Sequence, residues 1–457
     1  MPAGGGLLQL VATGKQDLFL TGNPQISFFK MVHRRHTNFA TEAQPMYFDG
    51  TPNFGQRITC LIPRRGDLLG RIYLDVTLPL IKDTSGNELS YTNSIGNALI
   101  QEIALEIGEQ EIDKQTGEWM EIWTQLTTPS SQRDALNEMI GRIEPYNPPN
   151  IKPGTKSTGL RLLIPLQFYF CKNPGLYLPL LALQYHPIRI NITLRPLQQL
   201  FWVTPPIDQS AWKPACQIMV DCRTPIVNMM LWGEYVYLDV EERRKFVSTT
   251  HEYLIEQVQY TPPYSLTGQQ TTATISVEFN HPMKEFIFVV QRDEMANRNE
   301  WFNYSNLAIN EPIPFNGVTS ATSTYKVFDY MTTVAPSGRM DLISGARLQL
   351  DGYDRFAERG PEYFRLEQPY EHHTTTPVNS FIYNYCFALR PEDSQPTGTM
   401  NASRIDSIVW QIQMNSILSN PLLPVYKQRG NCHIVVYGHN YNVFRVINGF
   451  GGLLFTI

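Results

Sequence analysis

The sequence predicts an all-β chain made of two tandem β-sandwiches, and an internal repeat is the main reason. Leu105-Glu106-Ile107-Gly108 leads, ten residues on, to Glu118-Trp119, and Leu348-Gln349-Leu350-Asp351-Gly352 leads over the same distance to Glu362-Tyr363. Each copy reads as a strand, a glycine turn, a second short strand (Glu111 to Asp113; Asp354 to Phe356) and an acidic-aromatic step. A second pair, Leu231-Trp232-Gly233-Glu234-Tyr235-Val236-Tyr237 and Val436-Tyr437-Gly438-His439-Asn440-Tyr441-Asn442, recurs in the same order. Units of this length can each bury a core, which separates them from solenoid repeats. The expected organisation is an N-terminal arm at 1–30, a first sandwich with its linker at 31–245 and a second at 246–457.

Period-2 patterns are the second observation. Ile72, Leu74, Val76 and Leu78 alternate with Tyr73, Asp75 and Thr77, and Ile188 to Leu194 alternates with Arg189, Asn191 and Thr193. Ile275, Val277 and Phe279 in one segment, and Ile408, Trp410, Ile412 and Met414 in another, do the same. Such alternation marks strands with one buried face. Phe286-Ile287-Phe288-Val289-Val290 is apolar on both faces and predicts a strand covered on both sides.

Helix is scarce. Ser131-Gln132-Arg133-Asp134 has the form of a capping box, with Ala135, Leu136, Met139 and Ile140 following at helical spacing. Glu118 to Leu126 predicts a second short helix, and Glu241 to Phe246 a charged, solvated turn between the two halves. Long Pro/Gly/Asn/Thr segments fill Pro145 to Gly159, Thr204 to Ala215, Thr261 to Thr272 and Asn297 to Arg339. In the last, Trp301, Phe302, Tyr304, Phe315, Tyr325 and Phe328 favour an ordered loop.

Composition narrows the function classes. A net charge of −5 over 457 residues is too small for a surface that grips nucleic acid throughout. Charged residues are 17% and aromatics 12%, which suits either a β-rich chain or one whose surface is largely covered by partners. The cysteines (Cys60, Cys171, Cys216, Cys222, Cys386, Cys432) form no CxxC pair and read as scattered reduced thiols. The first residues lack the form of a signal peptide, and no apolar run approaches the ~18 residues of a membrane span. The expected place of synthesis is the cytoplasm.

No Walker sequence, GxGxxG, GxSxG or HExxH is present. Gly4-Gly5-Gly6 reads as a flexible lead, and His33-Arg34-Arg35-His36 as a protein-facing basic segment among Phe28, Phe29, Met31 and Val32. His372-His373 would start a poor metal site, because neighbours on a strand point to opposite faces. Glu118 and Glu121, close to Trp119 and Trp123, could pass for a glycosidase pair, yet the repeat at Glu362 favours a structural turn. The reading is therefore no catalytic residue, no cofactor and no metal. Asn191, Asn303 and Asn401 fit the glycan-acceptor pattern. Leu7, Leu8, Leu10 and Val11 form an apolar patch on the arm, expected to meet a partner.

Ordered blocks then carry a resemblance. Leu7 to Asp17, Leu20 to Lys30 and Arg34 to Ala40 closely resemble the start of the major capsid proteins of nucleocytoplasmic large DNA viruses, of the giant algal or amoebal type. Gly117-Glu118-Trp119, Leu181 to His186, His251 to Gln257, Arg390 to Asp393, Asn401 to Asp406 and Asn440 to Val443 extend it to the far end. The resemblance implies a double jelly-roll: two eight-stranded antiparallel sandwiches, with long outer loops. It also implies a homotrimeric, pseudo-hexagonal capsomer in the icosahedral shell of a virion around an inner membrane. Partners would be neighbouring capsomers, minor capsid and penton proteins, and the membrane surface near the arm, with no direct nucleic acid and no active site. Two alternatives stay open: a β-sandwich carbohydrate-binding protein or glycosidase, and a minor or penton paralogue of the same lineage.

Overall fold

The computed structural model describes residues 4–81, 88–142, 160–204, 225–306, 340–415, 418 and 430–456. Most of the expected loops at Pro145 to Gly159 and Thr204 to Ala215, the part of the last loop holding Phe315, Tyr325 and Phe328, and Cys216 and Cys222 lie outside them. Residues Met1–Phe39 form one unit and Ala40–Ile457 another.

In the first unit, Gly5–Val11 is a helix and Leu18–Thr21 a single helical turn. Gly5 and Gly6 are thus helical, where the sequence suggested a flexible lead. Leu7, Leu8, Leu10 and Val11 are all exposed.

From the boundary between the units onward run β1 (Phe39–Met46), β2 (Arg57–Leu61), β3 (Leu68–Thr77), β4 (Glu88–Tyr91), β5 (Ile100–Ile107), β6 (Gln110–Thr116), β7 (Arg161–Pro165), β8 (Ile188–Leu194), β9 (Phe201–Thr204) and β10 (Asn228–Leu238). The series continues with β11 (His251–Tyr260), β12 (Tyr264–Leu266), β13 (Thr272–Ser276), β14 (Pro282–Arg292), β15 (Ile343–Leu350), β16 (Tyr353–Asp354), β17 (Tyr383–Cys386), β18 (Met400–Asn401), β19 (Ile408–Met414), β20 (Cys432–Ile447) and β21 (Phe450–Leu453).

The first half stacks the sheet β1-β10-β3-β7 on the sheet β2-β8-β5-β6, with β4 pairing β9 beside them. The second half repeats the plan as β11-β20-β14-β17 and β13-β19-β15-β16, with β12, β18 and β21 added at the edges. If the eight principal strands of each half are counted in chain order, both read 1-8-3-6 and 2-7-4-5. The pairings 1·8, 2·7, 3·6 and 4·5 are those of one long hairpin rolled on itself, the jelly-roll, and the two halves make it double.

The repeated motifs fall where this order requires. Gly108 and Gly352 both lie in the turn between strands four and five, and Gly233 and Gly438 both lie in strand eight. The turn match is offset by one residue. Gly108 (φ +58°) and Glu109 (φ +68°) form the first turn, whereas Asp351 (φ +50°) and Gly352 (φ +80°) form the second. Two successive residues in the left-handed region are what a tight hairpin of matching twist needs. In the first copy glycine takes the leading place, where a Cβ would lie 2.4 Å from His186 Nδ1.

Each sandwich has its own core. The first is filled by residues such as Ile72, Leu74, Leu105, Phe168 and Ile190, the second by Phe286, Phe288, Val290, Trp410 and Val436. Strand β14 is buried on both faces, as its apolar run predicts. Phe286, Phe288 and Val290 enter the second core, while Ile287 and Val289 face a third cluster with Trp119, Trp123 and Tyr437. That third cluster joins the sandwiches.

Three helical expectations resolve in detail. Gly117–Thr127 covers the expected second helix, with the Thr116 hydroxyl accepting from the Trp119 amide at 3.2 Å. Ser130–Ile140 starts one residue before the expected capping box and makes no side-chain cap; Pro129 occupies the N-cap and Gly141 (φ +70°) closes the end. Val240–Ser248, capped by Asp239 Oδ1 on Val240 N at 2.8 Å, buries no residue.

Candidate functional site

The richest constellation in the molecule is the junction between the sandwiches. Its apolar part comes from the helix Gly117–Thr127, whose Trp119 and Trp123 are buried and stacked with ring centroids 5.6 Å apart. Trp119 also lies 5.6 Å from the Tyr437 ring, and Trp123 stands edge-on to His439 at 4.7 Å. The Lys172 ammonium sits 4.2 Å over Trp123, a cation–π contact strengthened by exclusion of water.

The two acids of this helix are structural. Glu118 pairs with Arg195, whose guanidinium lies 4.1 Å over the Trp301 ring. Glu121 accepts from Asn97 Nδ2 at 2.7 Å, Gln125 Nε2 at 2.8 Å and Ser94 Oγ at 3.1 Å. A buried carboxylate with these donors has its charge satisfied in place, so the glycosidase reading finds no pair aimed at a cleft.

Main-chain and side-chain bonds sew the edges together. Asp113 Oδ1 accepts from the Val258 amide at 3.1 Å, and Gln257 Nε2 donates to the Ile112 carbonyl. Thr375 N donates to the Leu126 carbonyl at 2.9 Å, and Trp301 Nε1 to the Gln199 carbonyl at 2.8 Å. The described start of the long loop, Asn297 to Asn306, is ordered against the first sandwich in this way. Thr92 Oγ1 donates to the Asn299 carbonyl at 2.7 Å.

A buried polar cluster lies on the same face. Cys386, Glu285 and His439 are register partners across β17, β14 and β20, so their side chains stand in one row. Beside them, Lys284 Nζ meets Glu256 Oε1, Lys172 Nζ lies 3.0 Å from Glu256 Oε2, and His439 Nε2 lies 3.4 Å from the same oxygen. His373 comes down on the row from the end of the helix Gln368–His372. Its Nε2 lies 2.9 Å from Glu285 Oε2 and its Nδ1 2.9 Å from Glu392 Oε1.

The electrostatics follow from that packing. Burial pushes His373 down, but Glu285 and Glu392 outweigh it and hold the imidazole well above its ordinary value. Burial pushes Glu285 up, yet His373 and His439 win and hold it well below the usual carboxylate range. Glu256 is likewise held low against its burial by Lys172, His439 and Lys284. Burial pushes the Cys386 thiol up to about 11.

The sequence missed this cluster. It treated His372 and His373 as strand neighbours on opposite faces, but they end a helix. His372 Nδ1 faces the Leu389 carbonyl at 2.9 Å and only His373 enters the row. Among the described residues, Glu285, His373 and Cys386 offer ligand atoms within 4.8 Å of one another, a grouping the sequence did not bring together. Their sequence separations hide them; only the β14–β17 register reveals that Glu285 and Cys386 are opposite.

Comparison with known proteins gives this architecture a family. The model described as the major capsid protein N-terminus matches residues 27–239, and that of the large eukaryotic DNA virus major capsid protein matches residues 242–452. The chain belongs to this family. It is 36% identical to the major capsid protein of Phaeocystis pouchetii virus and 35% identical to that of Paramecium bursaria Chlorella virus 1, with 99% of each chain covered in both cases. Among solved structures it is similar to the PBCV-1 virus capsid, with TM-score 0.72 and 29% identity over 94% of this chain and 100% of that one. The Faustovirus major capsid protein shares the fold, with TM-score 0.70 at 12% identity over 95% and 94% of the two chains.

For a capsid protein the expected surface sites matter as much as the junction. Asn191 and Asn303 are buried. Asn191 Nδ2 donates to Glu106 Oε2 at 2.9 Å, and its Oδ1 accepts from Thr59 Oγ1 at 2.8 Å. Asn303 Nδ2 donates to Glu300 Oε2 at 2.6 Å, and its Oδ1 accepts from Ser305. Both amides are thus engaged inside the fold. Asn401 is exposed, with its Oδ1 taking the Ser403 amide at 3.1 Å.

Proposed function

We propose that three copies of this structural protein form one capsomer of pseudo-hexagonal outline, and that these capsomers tile the icosahedral shell of a large DNA virus. The observation that carries the reading is the identical 1-8-3-6 and 2-7-4-5 strand order in the two sandwiches. Three copies of a chain with two like domains present six like edges, which is what a hexagonal lattice requires of each tile. The sewn junction supports it, since the two sandwiches must keep a fixed relation for the outline to stay regular.

The role is structural rather than catalytic. The net charge of −5 fits a shell whose contents lie behind a membrane rather than against the protein. The arm, with Leu7, Leu8, Leu10 and Val11 exposed, faces a neighbouring capsomer, a minor capsid or penton protein, or the membrane surface. Native mass measurement on the purified full chain tests the assembly. The expected mass is three times the 52.4 kDa chain, and it persists in high salt because apolar burial is not screened. A folded monomer at moderate salt overturns it.

A further inference from the structure

We infer that Glu285 Oε2, His373 Nε2 and Cys386 Sγ form a structural binding site for one zinc-class divalent cation, with the Asn384 amide on the fourth side. The three atoms form a closed triangle: His373 Nε2 to Glu285 Oε2 is 2.9 Å, Cys386 Sγ to Glu285 Oε2 is 3.8 Å, and Cys386 Sγ to His373 Nε2 is 3.9 Å. Tetrahedral zinc with bonds of about 2.0–2.3 Å places such ligand atoms about 3.4–3.6 Å apart. Each edge is therefore within about half an ångström of what the ion requires, and rotation about the side-chain torsions supplies the difference. Asn384 Nδ2 contacts His373 Nε2, and Asn384 Oδ1, the atom that could ligate, accepts from Cys386 Sγ at 3.3 Å.

The supports behind the ligands argue for a built site. Glu392 Oε1 holds His373 Nδ1 at 2.9 Å and is itself fixed by the Thr374 amide at 2.8 Å. A carboxylate on Nδ1 holds the proton on that nitrogen and makes Nε2 the one offered to a metal, the arrangement common behind metal-bound histidines. The other oxygen of Glu285, Oε1, is held by His439 Nδ1 at 3.1 Å. Glu285 and Cys386 stand on paired strands, so two of the three ligands are placed by backbone register rather than by loops.

A mixed thiolate, imidazole and carboxylate set suits zinc and its cobalt surrogate rather than calcium or magnesium, which take oxygen ligands. Binding of the cation displaces the protons that the Nε2 and thiol positions carry, so uptake is linked to pH. The cation would tie the end of the helix Gln368–His372 to β14 and β17 on the face that meets the first sandwich.

The test uses the full chain, produced with zinc in the medium and then exchanged with cobalt. The expected result is close to one zinc per chain by elemental analysis. The cobalt form should show thiolate-to-cobalt charge-transfer absorption, which Cys386→Ser abolishes and Cys171→Ser retains. Glu392→Ala, at a partly exposed position behind the site, should weaken zinc binding about 10- to 100-fold while the fold persists. If Cys386→Ser does not fold, the wild-type cobalt spectrum and the Glu392→Ala affinity decide. No thiolate–cobalt band in the wild-type chain, a band that survives Cys386→Ser, or unchanged affinity in Glu392→Ala overturns the site.

Discussion

Gly233 and Gly438 occupy the same place in the two sandwiches, each on strand eight and each paired with strand three, opposite Ile72 and Phe286 respectively. Each is close-packed on its inner side, but by different partners. A Cβ on Gly438 would lie 2.7 Å from Phe279 Cδ2 and 3.1 Å from Met283 Sδ. One on Gly233 would lie 2.9 Å from Met46 Cε and 3.0 Å from Leu69 Cδ1.

The packing predicts unequal costs for one substitution. An aromatic ring held in a core cannot yield as the terminal methyl of methionine can. Gly438→Ala should destabilise by about 1–3 kcal/mol, in the range of overpacked cores, and Gly233→Ala by less than about 1 kcal/mol. Denaturant midpoints of the two variants check the order, and an equal or reversed order contradicts it.

The junction helix gives the second prediction. Trp119 is fully buried between Trp123 and Tyr437. Trp119→Ala should cost about 3–5 kcal/mol, as large-to-small changes at well-packed sites do. Trp232→Phe, on the half-buried face of β10, removes one hydrogen bond to Asp75 Oδ2 at 3.2 Å and should cost about 1 kcal/mol. Thermal unfolding of both variants distinguishes them.

Asp113 predicts a pH dependence. Burial pushes its carboxyl up to about 6, against the opposing hydrogen bonds from Gln115 and Val258. The folded chain therefore binds this proton more tightly than the unfolded chain does. The contribution to stability is full below the unfolded value near 3.8 and is lost as pH rises through about 6. Asp113→Asn should remove that dependence and gain on the order of 1–3 kcal/mol over the wild type at pH 7.5, with the gap shrinking to about a third by pH 4.5. A gap of the same size at both pH values would falsify the assignment.

Particular residues show how far the sequence could be read. The run Phe286 to Val290 announced a strand covered on both faces, because each of its faces is apolar in the sequence itself. Lys284 and Glu285, directly before it, are just as buried, and nothing local predicts that. They are tolerated because Glu256, His373 and His439 arrive from other strands and a helix end to pair with them. The glycine repeat located the four–five turn, but a motif match aligned Gly108 with Gly352, whereas the backbone places them at successive positions of the turn. The Asn-x-Ser/Thr pattern is local and contains no burial information, so Asn191 on a paired strand and exposed Asn401 looked alike.

The arm supplies the last prediction. The helix Gly5–Val11 has seven residues, two of them glycine, and exposes Leu7, Leu8, Leu10 and Val11 at 69–79%. A helix this short does not hold itself in water, and glycine weakens it further. Its apolar side chains contribute to stability only when something covers them. If that cover comes from assembly, as proposed above, the arm should be dispensable for folding and needed for building the shell. Deleting residues 1–12 should leave a trimer whose melting temperature stays within about 2 °C of the full chain, since every described side chain among them, residues 4–12, is exposed. The same deletion should sharply reduce the yield of closed shells by electron microscopy when the capsid components are co-expressed. A truncated chain that fails to fold or to trimerise would instead place the arm in the subunit core. One that builds shells at the normal yield would leave Leu7 to Val11 without an assembly role.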